Sequence, residues 1–111
     1  MSAPEDLLAF QLKAVGIPFE REVEFARPER KFRADFLVSG NDYHDTFFDA
    51  PLIVEVEGGT YIAGRHTQGA AFEGDCVKQA EALIRGYRYL RVTPHMIEDG
   101  RALAYIEGLL R

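Results

Sequence analysis

"LIVEVEGG", residues 52–59, decides the reading of this chain. Leu52, Ile53 and Val54 are apolar β-formers, as the start of a buried strand requires. Glu55 and Glu57 then interrupt the run at a spacing of two, and Gly58 and Gly59 end it. Alternate residues of a strand leave the same face, so the two carboxylates project together. Two glutamates at this spacing most often line a solvated edge strand. What sets this pair apart is what stands across from it.

Upstream, "KFRADFLV" (31–38) alternates, with Phe32, Ala34, Phe36 and Val38 on one face. A hairpin between the two segments has one register that satisfies the apolar pattern. Val38 opposite Leu52 pairs Phe36 with Val54 and Ala34 with Val56. On the other face Leu37 meets Ile53, Asp35 meets Glu55 and Arg33 meets Glu57. Like charges directly opposite each other in a sheet are destabilising by roughly 0.2–1 kcal/mol even when solvated. Partly buried they cost more, unless one is protonated or a cation lies between them. An all-oxygen carboxylate site suits a hard divalent cation such as Mg²⁺, Mn²⁺ or Ca²⁺. Gly58 and Gly59 would let a bulky substrate approach the strand end closely.

Outward from this hairpin the chain reads as one domain, 1–111. Residues 4–15 form a helix, with Pro4 in its first turn, Glu5 and Asp6 at its positive end, and Gly16 as its stop. "PFEREVEF" (18–25) alternates as a strand, and Arg27-Pro28-Glu29 is a turn. Residues 39–51 are a polar loop containing His44, Asp45 and Asp49, and 59–70 are a Gly-rich loop. Residues 71–86 form a helix whose stripe of Phe72, Cys76, Ala80, Leu83 and Ile84 is expected to face the core. "YRYLRVT" (87–93) is a fourth strand, with Tyr87 and Tyr89 expected in the core. Residues 94–110 are two short helices broken near Gly100, the first starting at His95 and Met96. The order α-β-β-β-α-β-α predicts an α/β (α+β) domain with a mixed sheet flanked by helices.

Bulk properties narrow the function. The net charge of −5 argues against nucleic-acid binding by overall charge alone. A local basic segment exists in "ARPERKFR", with Arg27, Arg30, Lys31 and Arg33. Cys76 is the single cysteine, which excludes an internal disulfide and points to an intracellular protein. Cys76, His44, His66 and His95 lack zinc-finger spacing. No apolar run is long enough to span a membrane, and the N-terminus carries no secretory signal pattern.

An Asp at the end of one strand, an acidic pair at the end of the next, and an αβββαβ order together resemble the PD-(D/E)XK, or restriction-endonuclease-like, nuclease superfamily. More closely, "FRADF" followed by "LIVEVEGGTYIAGRHTQGAAFEGDCVKQAEALIRGYRYLRVTPHMI" is similar to small phage-type single-domain endonucleases related to the very-short-patch-repair endonucleases. These carry the pattern E-V-E/D-G-G … G-R-H … D-x-x-K … G-W-x-x-L-R. The likeness runs from "AFQLKAVGIP" to the C-terminal helix, and the stretch from Glu55 to Lys78 is its most specific part.

The resemblance implies a Mg²⁺- or Mn²⁺-dependent endonuclease acting on DNA. It implies Asp35 and Glu55 as metal ligands, with a strand carbonyl near Val56 assisting. Glu57 occupies the place usually held by the motif lysine, where it would bind metal or orient water. Lys78 is a candidate for that lysine moved to the helix. The helical wheel speaks against it, because Lys78 points almost opposite the Phe72/Cys76/Leu83 stripe. Asp75 and Lys78 can also form a surface ion pair at i, i+3, which is the role expected of Asp75. Arg65 and His66 are candidates for phosphate contact and for proton transfer or metal contact. Arg65 and the basic segment would offset phosphate charge. Asp6 is a minor candidate, since an acid of the first helix sometimes joins such sites. The alternatives are a non-catalytic nucleic-acid-binding module, a nuclease subunit that needs a partner, and a plain divalent-metal-binding protein. A chain this small offers little recognition surface, which predicts a homodimer, a partner protein, or low sequence specificity.

Overall fold

The computed structural model describes residues 3–38, 50–57 and 68–110. The chain runs α1 (Ala3–Ala14), β1 (Phe19–Glu24), β2 (Arg33–Val38), β3 (Leu52–Val56), α2 (Gln68–Ile84), β4 (Arg88–Val92), α3 (Pro94–Glu98) and α4 (Arg101–Leu109). The four strands make one mixed sheet in the order β1-β2-β3-β4. The first three are antiparallel neighbours, and β4 lies parallel to β3. A parallel neighbour needs a crossover, and α2 supplies it.

Three pairs of the β2–β3 register that the apolar alternation predicts are formed, Val38 with Leu52, Leu37 with Ile53 and Phe36 with Val54. The expected Ala34–Val56 pair is not, and Ala34 and Phe32 join the cluster around Ile53 in place of the Phe36 face. One face of the sheet carries Phe36, Val38, Leu52, Val54 and Val92. These pack on Leu8 and Leu12 of α1, Ile97 of α3, and Ala102 and Ile106 of α4. The opposite face buries Ile53 with Ala82 of α2, Phe25 and Ala26, and Leu37, Tyr87 and Tyr89 close over it.

Helix ends follow local chemistry. Gly16 at φ +76° ends α1. Its N–H donates to Lys13 O (3.1 Å), and Ile17 N–H donates to Leu12 O (3.0 Å), the paired bonds of a Schellman stop. Gly86 at φ +91° does the same for α2, with Gly86 N–H to Leu83 O and Tyr87 N–H to Ala82 O, both 3.1 Å. Thr93 caps α3 by accepting from Met96 N–H at 3.2 Å.

The rotation of α2 about its axis differs from expectation. Phe72 is 58% exposed, Leu83 53% and Ile84 79%, and Cys76 is also exposed. The apolar stripe, Phe72 included, therefore faces away from the sheet, and Ala82 is the residue buried against it. The cause lies in the sheet. Where α2 crosses it, the face carries Glu55, Glu57, Tyr89 and Arg91, so the helix side that meets it offers Asp75 and Lys78. Charge pairing sets the helix rotation in place of apolar burial.

Candidate active site

The site begins where the sheet ladder opens. Past Phe36 opposite Val54, the β2–β3 backbone pairing gives way to two reciprocal bonds. Asp35 N–H donates to Glu55 Oε2 at 2.9 Å, and Val56 N–H donates to Asp35 Oδ2 at 2.9 Å. Each carboxylate thus replaces a carbonyl of the other strand, and the two acids are locked side by side. On its other flank, β1 passes from Arg21 opposite Phe36 to Val23 opposite Ala34. Glu22, between them, has φ +56°. A left-handed conformation costs an L-residue about 1–2 kcal/mol, and such strain is found where function over-determines the backbone. Asp35 therefore sits at a local distortion of both neighbouring strands.

Glu55 is only 5% exposed. Its Oε1 accepts from the Tyr89 hydroxyl at 3.0 Å and is ion-paired with the Lys78 ammonium. Burial pushes the Glu55 carboxyl above the usual carboxylate range. Lys78 and the Asp35 N–H pull it back, and the Asp35 charge pushes it up again. Burial and the Glu55 charge raise the Tyr89 phenol far above its ordinary value, so it stays a donor. Among the described residues Oε1 thus has two donors and Oε2 one.

Lys78 therefore belongs with the acids, which corrects the helical-wheel objection. That objection took the apolar stripe as the inward side of α2, and the stripe faces out. The Asp75–Lys78 surface pair is not formed as predicted either: Lys78 turns to Glu55, and Asp75 lies 3.5 Å from Arg91. Glu57 is bound by Arg91 at 2.6 Å. The expected Arg33–Glu57 pairing is absent from the described ion pairs, and Arg33 lies 3.8 Å from Glu22 of β1. Parallel β4 is the reason, since it aligns Arg91 with Glu55 and brings its guanidinium to the end of β3.

A third acid reaches Asp35 from α1, and it is Glu5. One oxygen each of Glu5, Glu22 and Asp35 lie within 4.8 Å of one another. Asp6, the candidate read from sequence, is instead bound to Arg21 at 3.1 Å, and Arg21 also lies 3.8 Å from Glu5. Asp35 is thus shared between Glu55 on one side and Glu5 with Glu22 on the other. The donor set is oxygen throughout, which fits a hard divalent cation and not a soft one. Of Val56, the observed contact is its N–H to Asp35.

The basic segment is less available than its composition suggests. Arg27 pairs with Glu24 at 2.9 Å. Arg30 lies 3.9 Å from Glu81 and over the Phe32 ring, and Arg33 is with Glu22. Lys31 is exposed and makes no ion pair among the described residues. Arg65, His66, His44, Asp45, Asp49, Gly58 and Gly59 lie outside the described residues.

Sequence reading missed Tyr89, Arg91, Glu5 and Glu22. A signal existed for the first two: once β4 is read as a parallel neighbour of β3, its alternation puts residues 89 and 91 on the face of Glu55. Among the described residues no helix is long and apolar enough to cross a membrane. Compared with known proteins, the chain matches no family model. No curated protein matches it either.

Proposed function

We propose that this chain is a divalent-metal-dependent endonuclease that hydrolyses DNA phosphodiester bonds, with a site of the PD-(D/E)XK kind. One observation carries the reading: Asp35 and Glu55 are locked together by reciprocal bonds at an opening in the sheet, with Lys78 seated on the buried glutamate. Asp35 and Glu55 would hold Mg²⁺ or Mn²⁺, with the Val56 carbonyl and Glu5 as neighbouring oxygen donors. Such a cation, when bound, polarises a phosphate, acidifies water and stabilises a leaving oxygen. It also offsets the negative charge of the site where an anionic substrate docks.

The chain's own residues do the rest. Asp35 and Glu55 fix where the phosphate sits. Lys78, the cation that contacts Glu55, orients the attacking water or meets a phosphate oxygen. Glu57 is assigned away from water activation, because Arg91 holds it; with Asp75 it ties α2 to the end of β3. Arg65 and the exposed Arg27, Arg30, Lys31 and Arg33 would contact the DNA backbone, and His66 would transfer a proton. An intracellular place of action goes with this reading. A second reading, a nuclease subunit that acts as a homodimer or with a partner protein, is supported by the outward apolar stripe of α2.

The test is cleavage of a labelled panel: supercoiled plasmid, linear, nicked, branched and single-stranded DNA, and RNA, each with Mg²⁺, Mn²⁺ or chelator. The proposal expects metal-dependent DNA products. Metal binding with no product on any substrate would contradict it and favour the second reading.

A further inference from the structure

Glu55 is almost wholly withdrawn from water, lies beside Asp35, and among the described residues has one cationic partner, Lys78, reaching in from α2. A buried carboxylate that stays ionised needs a counter-charge. Resting on the nuclease reading, the geometry points to Lys78 as the resident counter-ion of Glu55, held there while the site is empty of metal and released when it is loaded. The lysine and a divalent cation would then alternate on one carboxylate, and only loading would free the ammonium for substrate.

Three features argue for exchange over coexistence. Lys78 shares Glu55 Oε1 with the Tyr89 hydroxyl, which fills that oxygen. Tyr89 is a neutral donor and does not repel an arriving cation, whereas an ammonium and a divalent cation on the two oxygens of one carboxylate repel. Lys78 is also long and unbranched, with three rotatable donors, and the other ion pairs of this face (Arg91 with Glu57 and Asp75) can hold α2 in place without it. Tyr89 would thus keep Glu55 oriented while Lys78 leaves.

The chain has three lysines, Lys13, Lys31 and Lys78, and the first two are exposed, so they serve as internal standards. Wild-type protein is acetylated with an amine-acylating reagent at fixed pH, in chelator and in Mg²⁺, and each site is quantified by mass spectrometry. In chelator Lys78 is expected to react on the order of tenfold more slowly than the standards, as a charge-assisted, mostly buried pair should. Mg²⁺ is expected to raise its rate towards theirs and leave Lys13 and Lys31 unchanged. Asp35→Asn is expected to abolish the rise. In parallel, Lys78→Met is expected to bind Mn²⁺ several-fold more tightly than wild type, because a competing cation is gone.

A Lys78 rate that Mg²⁺ does not change would overturn the inference, as would the same rise in Asp35→Asn or weaker Mn²⁺ binding by Lys78→Met. If Mn²⁺ binds in an Asp35-dependent way and Lys78 stays protected, this inference alone fails. If wild type shows no Asp35-dependent Mn²⁺ binding, the nuclease reading fails with it.

Discussion

At Glu55 a carboxylate is nearly removed from water, and three donors from three elements make that tolerable: Asp35 N–H from β2, Lys78 from α2 and Tyr89 from β4. A substitution and a pH titration each test this arrangement. Tyr89→Phe keeps the ring and removes one neutral donor. Loss of a bond that orients a metal ligand costs about 10–100-fold in affinity, so Mn²⁺ titration calorimetry on the folded variant should show weakening in that range. Unchanged affinity would deny Tyr89 its role. The second concerns pH. Burial raises Glu55 above its ordinary 4.5, and a proton and a cation compete for its oxygens. Affinity should be full above the raised pKa and fall by up to about tenfold per pH unit on acidification through it. The decline should therefore begin above pH 4.5. A flat profile down to that value would show that Glu55 is not a ligand.

Among the elements, α2 is the one whose placement departs from its own hydrophobic pattern. Its apolar stripe predicts burial of Leu83 and Ile84, and the fold buries Ala82. Chemical denaturation can check this directly. Ile84→Gln should change stability by no more than about 0.5 kcal/mol, as surface substitutions do. Ala82→Leu forces a larger side chain into the sheet–helix contact and should cost about 1–3 kcal/mol. The reverse order would restore the stripe to the core and remove Lys78 from the site.

The same contrast shows what the sequence carries at this scale. Strand alternation specified the β2–β3 register, because slipping one residue would turn Phe36, Val38, Leu52 and Val54 to the wrong face. Gly16 and Gly86 marked helix ends because a positive φ favours glycine there. The facing acids Asp35 and Glu55 followed from that register. The rotation of α2 did not, since it depends on Lys78 and Asp75 finding Glu55 and Arg91 from distant parts of the chain. Glu5 was legible only as a charge at a helix start, and Glu22 only as one of several alternating acids in β1. Their approach to Asp35 depends on how α1 packs and on a distorted backbone.

For the whole molecule, the main tension lies between an acidic chain and an anionic substrate. The net charge is −5, and Arg27, Arg30 and Arg33 lie close to acids of the same chain. DNA affinity should therefore depend on metal at the site. Fluorescence anisotropy with a labelled duplex, using Asp35→Asn to prevent cleavage and Ca²⁺ with wild type, gives the comparison. Wild type should bind at least about tenfold more tightly with Ca²⁺ than in chelator, and Asp35→Asn should lose most of that gain. Equal binding in chelator would place DNA recognition elsewhere on the molecule.

If Asp35 and Glu55 together form a hydrolytic metal centre, plasmid nicking depends on both. Supercoiled plasmid would be incubated in Mg²⁺ with wild type, Asp35→Asn and Glu55→Gln, after circular dichroism has shown all three to be folded. Both substitutions keep an oxygen acceptor for the backbone bond that each carboxylate makes. Nicking by wild type, stopped by chelator and reduced at least about 10²-fold in each variant, is the predicted result. A folded Asp35→Asn or Glu55→Gln that nicks as fast as wild type would contradict the account.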